Sequence, residues 1–408
     1  MRSRPEPVSP SGSDGNPGSS TLPFKTLSKC YAAAAPGQTC GLLSGSFSDS
    51  TISAVTSGSK ATVLPITQRA VCNGTCVTFT PVSGQTPVIS PSTGVLRLNA
   101  SHIRLLNVAV AGNLNVWPEG DAFPTAQTPD DVDLNGVTGT GAVNVACSTN
   151  FRIENMEIGP SLDVSPLNIQ AASAASDCAH NPQWGVVFNT TVHDSSTSSP
   201  SNHVDCTHLY DAQNITFDRV MYYGCEHIGL FADSANGPDR CCSGLVIQNS
   251  VFQATKTGGS TIELGGSNQP TSFANTRFVN NTILGTFNLV SNALFPSTMV
   301  ISNNILAQRF NTCTIGTPTF QDNAMTLFDG IQGPAEPGTA CAGSGNFRIP
   351  SFTNCITSQG DPNSSSAPNP RLIAGANACV DTASPTYAPG YDFYGAGRTT
   401  PDVGAAER

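Results

Sequence analysis

Four of the chain's six histidines (193, 203, 208 and 227) fall within 35 consecutive residues. Around them stand Asp205, Asp211, Glu226, Asp233 and Glu263, with Tyr210 and Phe231 alongside. Imidazoles and carboxylates at this density can move protons, and exposed rings can support the flat face of a sugar. Three chemistries are open to such a set. Glycoside hydrolysis needs two carboxyls roughly 5–9.5 Å apart, for which Glu226 or Asp205 with Glu263 are the candidates. Polysaccharide β-elimination needs a base, and a cation to neutralise a uronate carboxylate. His208, Arg240 and Lys256 can serve there, with Ca²⁺ held by oxygens of Asp205, Glu226, Asp233 or Asp239. Zinc held by His and carboxylates is the third option, but no His pair has the HExxH spacing. His203, His227, Tyr210 and Phe231 are the candidate substrate-binding residues.

Positioning these groups requires a repeated scaffold, and the sequence contains one. Seven segments alternate apolar and polar residues and run into Asn or a substitute: Ile103–Asn107, Phe151–Asn155, Val186–Thr190, Ile215–Arg219, Leu245–Asn249, Thr276–Asn280 and Met299–Asn303. Their first and third residues point inward, the period of a strand. Their ends fall 48, 35, 29, 30, 31 and 23 residues apart, and recurrence at that length means a stacked array. Second strands precede four of the segment ends: Thr207–Tyr210, Ile228–Phe231, Ile262–Leu264 and Phe287–Val290. Short strands joined by turns, with almost no two-residue Asn-Gly or Asp-Gly hairpins, specify an all-β fold: a single-stranded parallel β-helix. Asn side chains stacked at the turns are expected to bond along the axis.

An amphipathic helix over 22–35, with Phe24, Leu27, Tyr31 and Ala34 on one side, is expected to cap the first coil. Residues 1–20 lack the apolar stretch of an export signal and read as a disordered leader or tether. The β-helix domain then covers 21–408. Stretches 112–140 and 160–182 read as loops, and 311–408, with Cys313, Cys341, Cys355 and Cys379, as an irregular closure.

Composition narrows the function classes. Charged residues make up 11% of the chain, against roughly 25% in ordinary domains. The net charge is −10 and the 18 basic residues are scattered, so no stripe is available for nucleic acid. No apolar run is long enough to span a bilayer. Fourteen cysteines without paired CxxC knuckles indicate disulfides and an oxidising, extracellular or cell-surface location.

Three passages carry a resemblance to secreted right-handed parallel β-helix proteins of the pectate-lyase-like superfamily. They are Asp14-Gly-Asn-Pro-Gly-Ser-Ser-Thr-Leu-Pro-Phe24, His203-Val-Asp-Cys-Thr-His-Leu-Tyr210, and Asp392-Phe-Tyr-Gly-Ala-Gly-Arg398 with Pro401-Asp-Val-Gly-Ala-Ala-Glu407. The resemblance implies a right-handed helix with an N-terminal helical cap. It also implies a secreted, polysaccharide-acting protein, with lyase ahead of hydrolase. A non-catalytic glycan-binding or adhesin-like surface protein is the alternative. The Asn-Thr-Asp, Gly-His-Gly and Arg-Ile-Lys motifs of its polygalacturonase-type branch are absent, so no catalytic residue is carried over. Aligning the second strands puts His208, Gly229, Glu263 and Asn288 in one outward column, and Tyr210, Phe231, Gly265 and Val290 in the next. Neighbours within a column lie about 4.8 Å apart.

Overall fold

The computed structural model describes residues 6–407, apart from 54–69, 118–128, 172–180, 200–201, 235–240, 267–270, 291–292, 307–309, 312–317, 327–346, 350, 365 and 374–378. The fold is a right-handed parallel β-helix with an N-terminal helical cap. It divides into one unit of Met1–Gly159 with Leu167–Val186, and a second of Pro160–Pro166 with Val187–Arg408.

In the first unit, Glu6–Val8, Thr39–Leu42, Val77–Pro81, Ile103–Leu106, Val132–Asn135 and Phe151–Glu154 pair in that order, all parallel. Ile103, Leu105, Val132, Leu134, Phe151 and Ile153 point inward and are buried. In the second unit, Thr216–Asp218, Val246–Gln248, Arg277–Val279, Val300–Ser302 and Thr319–Gln321 repeat the arrangement, burying Phe217, Ile247, Phe278 and Ile301. Each coil adds a strand after the turn, such as Met221–Tyr223 on Val251–Phe252. A third strand completes it, such as Thr207–Tyr210 on Leu230–Asp233.

The segment ends turn the chain through left-handed backbone. Asn107, Asn155, Arg219, Asn249, Asn280 and Asn303 all have φ between 50° and 61°, where Asn is tolerated better than most residues. Asn189, at φ 45°, occupies this position in the third segment, where the alternation pointed to Thr190. Val187 is the buried residue there. Val186, Val187 and Phe188 are all apolar, so they hold no period to read.

Gly136 and Asp322 take the same conformation and mark coils the Asn pattern passed over. Accordingly, 112–140 and 160–182 are not simply loops: Val132–Asn135, the start of Thr138–Ala146, and Leu167–Gln170 are strands within them. The main amide ladder lies one residue beyond the turn position. Asn281 Nδ2 donates to Asn304 Oδ1 at 3.0 Å, and Asn304 Nδ2 to Asn323 Oδ1 at 2.9 Å. The same oxygens accept the backbone N–H groups of Asn281 and Asn304.

Both ends differ from expectation. Residues 6–20 are not a disordered leader, because Glu6–Val8 is a strand and Val8 is fully buried beneath the first coil. Three residues among Pro and Ser are too few to show a period. The capping helix is shorter than 22–35, running Leu27–Ala33. Thr26 caps it by accepting the Lys29 N–H at 3.1 Å, and Tyr31 donates to the Ser101 carbonyl at 2.7 Å.

At the far end, Thr319–Gln321, Ala324–Thr326 and Phe347–Ile349 continue the coils into the stretch read as irregular closure. Residues 384–407 then lie along the turns. Asn303 Nδ2 donates to the Ser384 carbonyl at 2.8 Å, and Asn280 Nδ2 to the Asp402 carbonyl at 2.9 Å. The buried Arg398 pairs with Glu407 and donates to Asn249 Oδ1 at 3.2 Å. The carbonyls of Gly404 and Ala405 accept from the same guanidinium. Cys355–Cys379 closes this end, whereas Cys313 and Cys341 lie outside the described residues. Removing one member of a buried ion pair typically costs about 3–5 kcal/mol. Arg398→Met is therefore expected to lower unfolding free energy by that amount in denaturant titration. A loss below about 1 kcal/mol would show that the closure does not depend on this pair.

Candidate functional site

The second unit carries the polar constellation. Thr207–Tyr210 pairs with Leu230–Asp233, placing His208 opposite Phe231 and Tyr210 opposite Asp233. Phe231 then pairs with Glu263, and Glu263 with Asn288. The outward column is thus His208, Phe231, Glu263 and Asn288, with Phe231 where the sequence alignment placed Gly229. The strand starts at Leu230 rather than Ile228, a shift of two. A two-residue slip preserves which face each side chain takes, so alternation is blind to it.

Rings form the centre of this surface. His203 stacks on His227 with centroids 4.9 Å apart and an interplanar angle of 11°. Its other neighbour is Phe231, met edge-on at 6.5 Å. His208 lies 4.9 Å from Phe231 and 4.8 Å from Tyr210. The sequence-predicted residues His203, His208, Tyr210, His227 and Phe231 therefore form one continuous platform.

The two central imidazoles differ in electrostatics. His203 Nδ1 is 3.3 Å from Asp205 Oδ1; His203 is exposed while Asp205 is buried. The carboxylate holds the His203 pKa above its ordinary value, partly offset by burial. Burial pushes the His208 pKa down, because the charged form loses hydration that no partner replaces. The His208 Nε2 atom is covered and makes no hydrogen bond, as does the His227 Nε2.

Glu263 is half-buried and held in place, its Oε2 accepting from Ser260 Oγ at 2.8 Å and Asn288 Nδ2 at 3.0 Å. Ser260 was not singled out from sequence, since a serine three residues before a glutamate has no distinctive signature. Glu226 and Lys256 belong to a neighbouring turn. Lys256 Nζ donates to the Ser195 carbonyl at 2.9 Å and lies 3.9 Å from Glu226 Oε2, while Ser195 Oγ accepts the Glu226 N–H at 2.8 Å. Buried Ser195, in the short strand Ser195–Ser196, thus organises this pair, a role invisible in its Ser/Thr-rich sequence. The disulfide Cys206–Cys225 ties the same two coils together.

Asp233 is buried, its carboxylate accepting the N–H groups of Ser234 and Gly266, and burial raises its pKa. A Cβ on Gly266 would fall 1.8 Å from Asp233 Oδ2. The proposed calcium ligands hence face different partners: Asp205 meets His203, Glu226 meets Lys256, and Asp233 meets backbone. Among the described residues, the one group of three His, Cys, Asp or Glu ligand atoms within 4.8 Å of one another lies elsewhere, at Cys72, Cys76 and Asp131. Arg240 and Asp239 are outside the described residues.

No protein-family model and no curated protein matches this chain. Among solved structures it is similar in fold to XylC, determined in complex with xylose, at TM-score 0.54 and 9% identity over 99% of this chain and 98% of that one. Pectate lyase Pel9A gives TM-score 0.44 and 15% identity over 99% and 97%. PfbA, a surface adhesin of Streptococcus pneumoniae, gives 0.42 and 9% over 71% and 77%.

The Asp205 pairing has a measurable sign. A raised His203 pKa contributes stability that is full below the ordinary value of roughly 6.5 and is lost as pH rises through the folded value. Asp205→Asn is expected to move the His203 titration downward in an imidazole NMR series. An unmoved titration would mean the carboxylate is not its cause.

Proposed function

We propose that this chain is a secreted, carbohydrate-active protein that cleaves a uronate-containing polysaccharide by β-elimination on the outward face of its second unit. The observation that carries the proposal is the pair of imidazoles pushed in opposite directions on one aromatic platform. Titratable groups driven apart by their surroundings divide acid from base roles. Neutral His208 takes the proton from the carbon beside the uronate carboxyl through Nδ1, its Nε2 being covered. The electron pair left behind forms the carbon–carbon double bond and expels the glycosidic oxygen. His203, charged beside Asp205, offsets the developing negative charge and returns a proton to the leaving oxygen. Tyr210 and Phe231 support the ring, and Glu263, fixed by Ser260 and Asn288, accepts from a sugar hydroxyl. His227 stiffens the platform by stacking on His203. No calcium step is included, since the described carboxylates proposed for it, Asp205, Glu226 and Asp233, face separate partners.

Hydrolysis fits the geometry less well. It needs two carboxyls flanking one bond, and neither companion proposed for Glu263 is free: Asp205 is buried behind His203 and Glu226 turns to Lys256. A second reading has a specific observation in its favour. The covered Nε2 of His208 suits a surface that grips a glycan without cleaving it. The fold is one on which XylC was determined with xylose, and the several disulfides suit an oxidising compartment.

A panel of uronate polymers separates these readings, because elimination alone creates an unsaturated, ultraviolet-absorbing product. The expected result is such a product, its rate falling about 10²-fold or more in His208→Ala. Glycan binding without any product, unchanged in form by His208→Ala, would replace the enzyme with a binding protein.

A further inference from the structure

The first unit carries a polar surface of its own. There Val95–Asn99, Ala109–Val116, Thr138–Ala146 and Leu167–Gln170 pair in that order, all parallel. Register places Arg97 opposite Asn115, Asn115 opposite Asn144, and Asn144 opposite Asn168. The residues on either side of each, such as Leu96, Leu114, Val143 and Leu167, are buried, so the column faces outward. Trp117, two residues beyond Asn115, shares that face. It is half-buried and packs against Ala146, which also faces outward yet is fully buried.

The amides of this column bond to one another. Asn144 Nδ2 donates to Asn115 Oδ1, and Asn168 Nδ2 to Asn144 Oδ1, each at 2.8 Å. A ladder can serve the fold alone, and the one beside the turns shows how such amides are then spent. Buried Asn304 donates to Asn323 and to the Phe278 and Ser302 carbonyls, and its oxygen accepts two N–H bonds from Asn281. An amide offers two N–H donors and two acceptor lone pairs. On the outward column Asn144, half-buried, uses one of each within the ladder. Asn115 Nδ2 donates to nothing among the described residues, and the exposed Arg97 guanidinium has no partner among them.

An uncommitted guanidinium, amides with capacity left over and an indole on one flat face suit an acidic sugar. The guanidinium fork matches a carboxylate with two parallel bonds. Amides exchange bonds with hydroxyls, which both donate and accept. An aromatic ring supports the apolar face of a pyranose. We propose that Arg97, Asn115, Asn144 and Trp117 form a second, non-catalytic binding surface for an acidic polysaccharide. Arg97 holds a uronate carboxylate, Asn115 and Asn144 the hydroxyls, and Trp117 the ring. A guanidinium and amides move no proton near neutral pH, so this surface grips without cleaving. The choice of a uronate rests on the reading given under Proposed function.

The test uses the full chain carrying Trp184→Phe, which leaves Trp117 as the sole tryptophan. Its fluorescence is followed during titration with short oligomers of galacturonate, glucuronate and mannuronate, and with the same oligomers after carboxyl reduction. A saturable change with at least one uronate is expected. Adding Arg97→Gln should weaken that binding about tenfold or more, as loss of a charge-assisted pair does. Carboxyl reduction should cost the parent the same factor and the Arg97→Gln variant nothing further, because both remove one contact. If Trp184→Phe does not fold, the fluorescence difference between wild type and Trp117→Phe isolates the same signal. No saturable change with any oligomer, or equal affinity with and without Arg97→Gln, would overturn the surface. The elimination reading is scored separately by its unsaturated product. Product without a Trp117 signal keeps that reading and removes this surface, whereas an Arg97-dependent signal without product does the reverse.

Discussion

Everything in this molecule depends on parallel pairing of one coil with the next. A parallel ladder satisfies backbone groups only if each coil returns to the same register, so every coil must turn at the same place. Left-handed residues make that turn in each unit: Asn107, Gly136 and Asn155 in the first, and Asn189, Arg219, Asn249, Asn280, Asn303 and Asp322 in the second. Just beyond it, the buried amides of Asn281, Asn304 and Asn323 bond along the axis. An amide left without its partner there would carry a desolvation penalty of about 1–3 kcal/mol. These asparagines thereby exclude slipped alternatives as well as stabilising the stack.

Register is also what makes the candidate site. His208, Phe231, Glu263 and Asn288 come from four strands spread over 81 sequence positions, and only the ladder brings them into one column. Their environments then differ through local packing. His203 sits at an exposed turn with Asp205 beneath it, whereas His208 is walled by Phe231 and Tyr210. Two identical side chains five residues apart acquire opposite acid–base tendencies. The C-terminal segment depends on the same turn column, since Asn249, Asn280 and Asn303 each bond to it.

Much of the architecture was readable from residue order, because period-2 burial and left-handed Asn turns leave local marks. Those marks fail in definable ways. Gly136 and Asp322 perform the turn without looking like the repeat, and Val186–Phe188 is too uniformly apolar to show which residue faces in. The strand at Glu6–Val8 is held by Cys40–Leu42, a partner remote in sequence. For the site, the composition of the cluster was legible while its alignment was not: placing Gly229 opposite His208 kept the correct face and chose the wrong neighbour. The supporting residues Ser195 and Ser260 act only through tertiary proximity and leave no trace in spacing.

The central claim is that the His203–Phe231–His208 platform is where a glycan meets this protein. Imidazole NMR during titration with an oligouronate addresses it directly, since histidines lie both on and off the platform. The account predicts that the His203, His208 and His227 signals move together and saturate, while His102 and His193 stay in place. Saturable binding that leaves the three platform signals unmoved, or that shifts His102 instead, would contradict it.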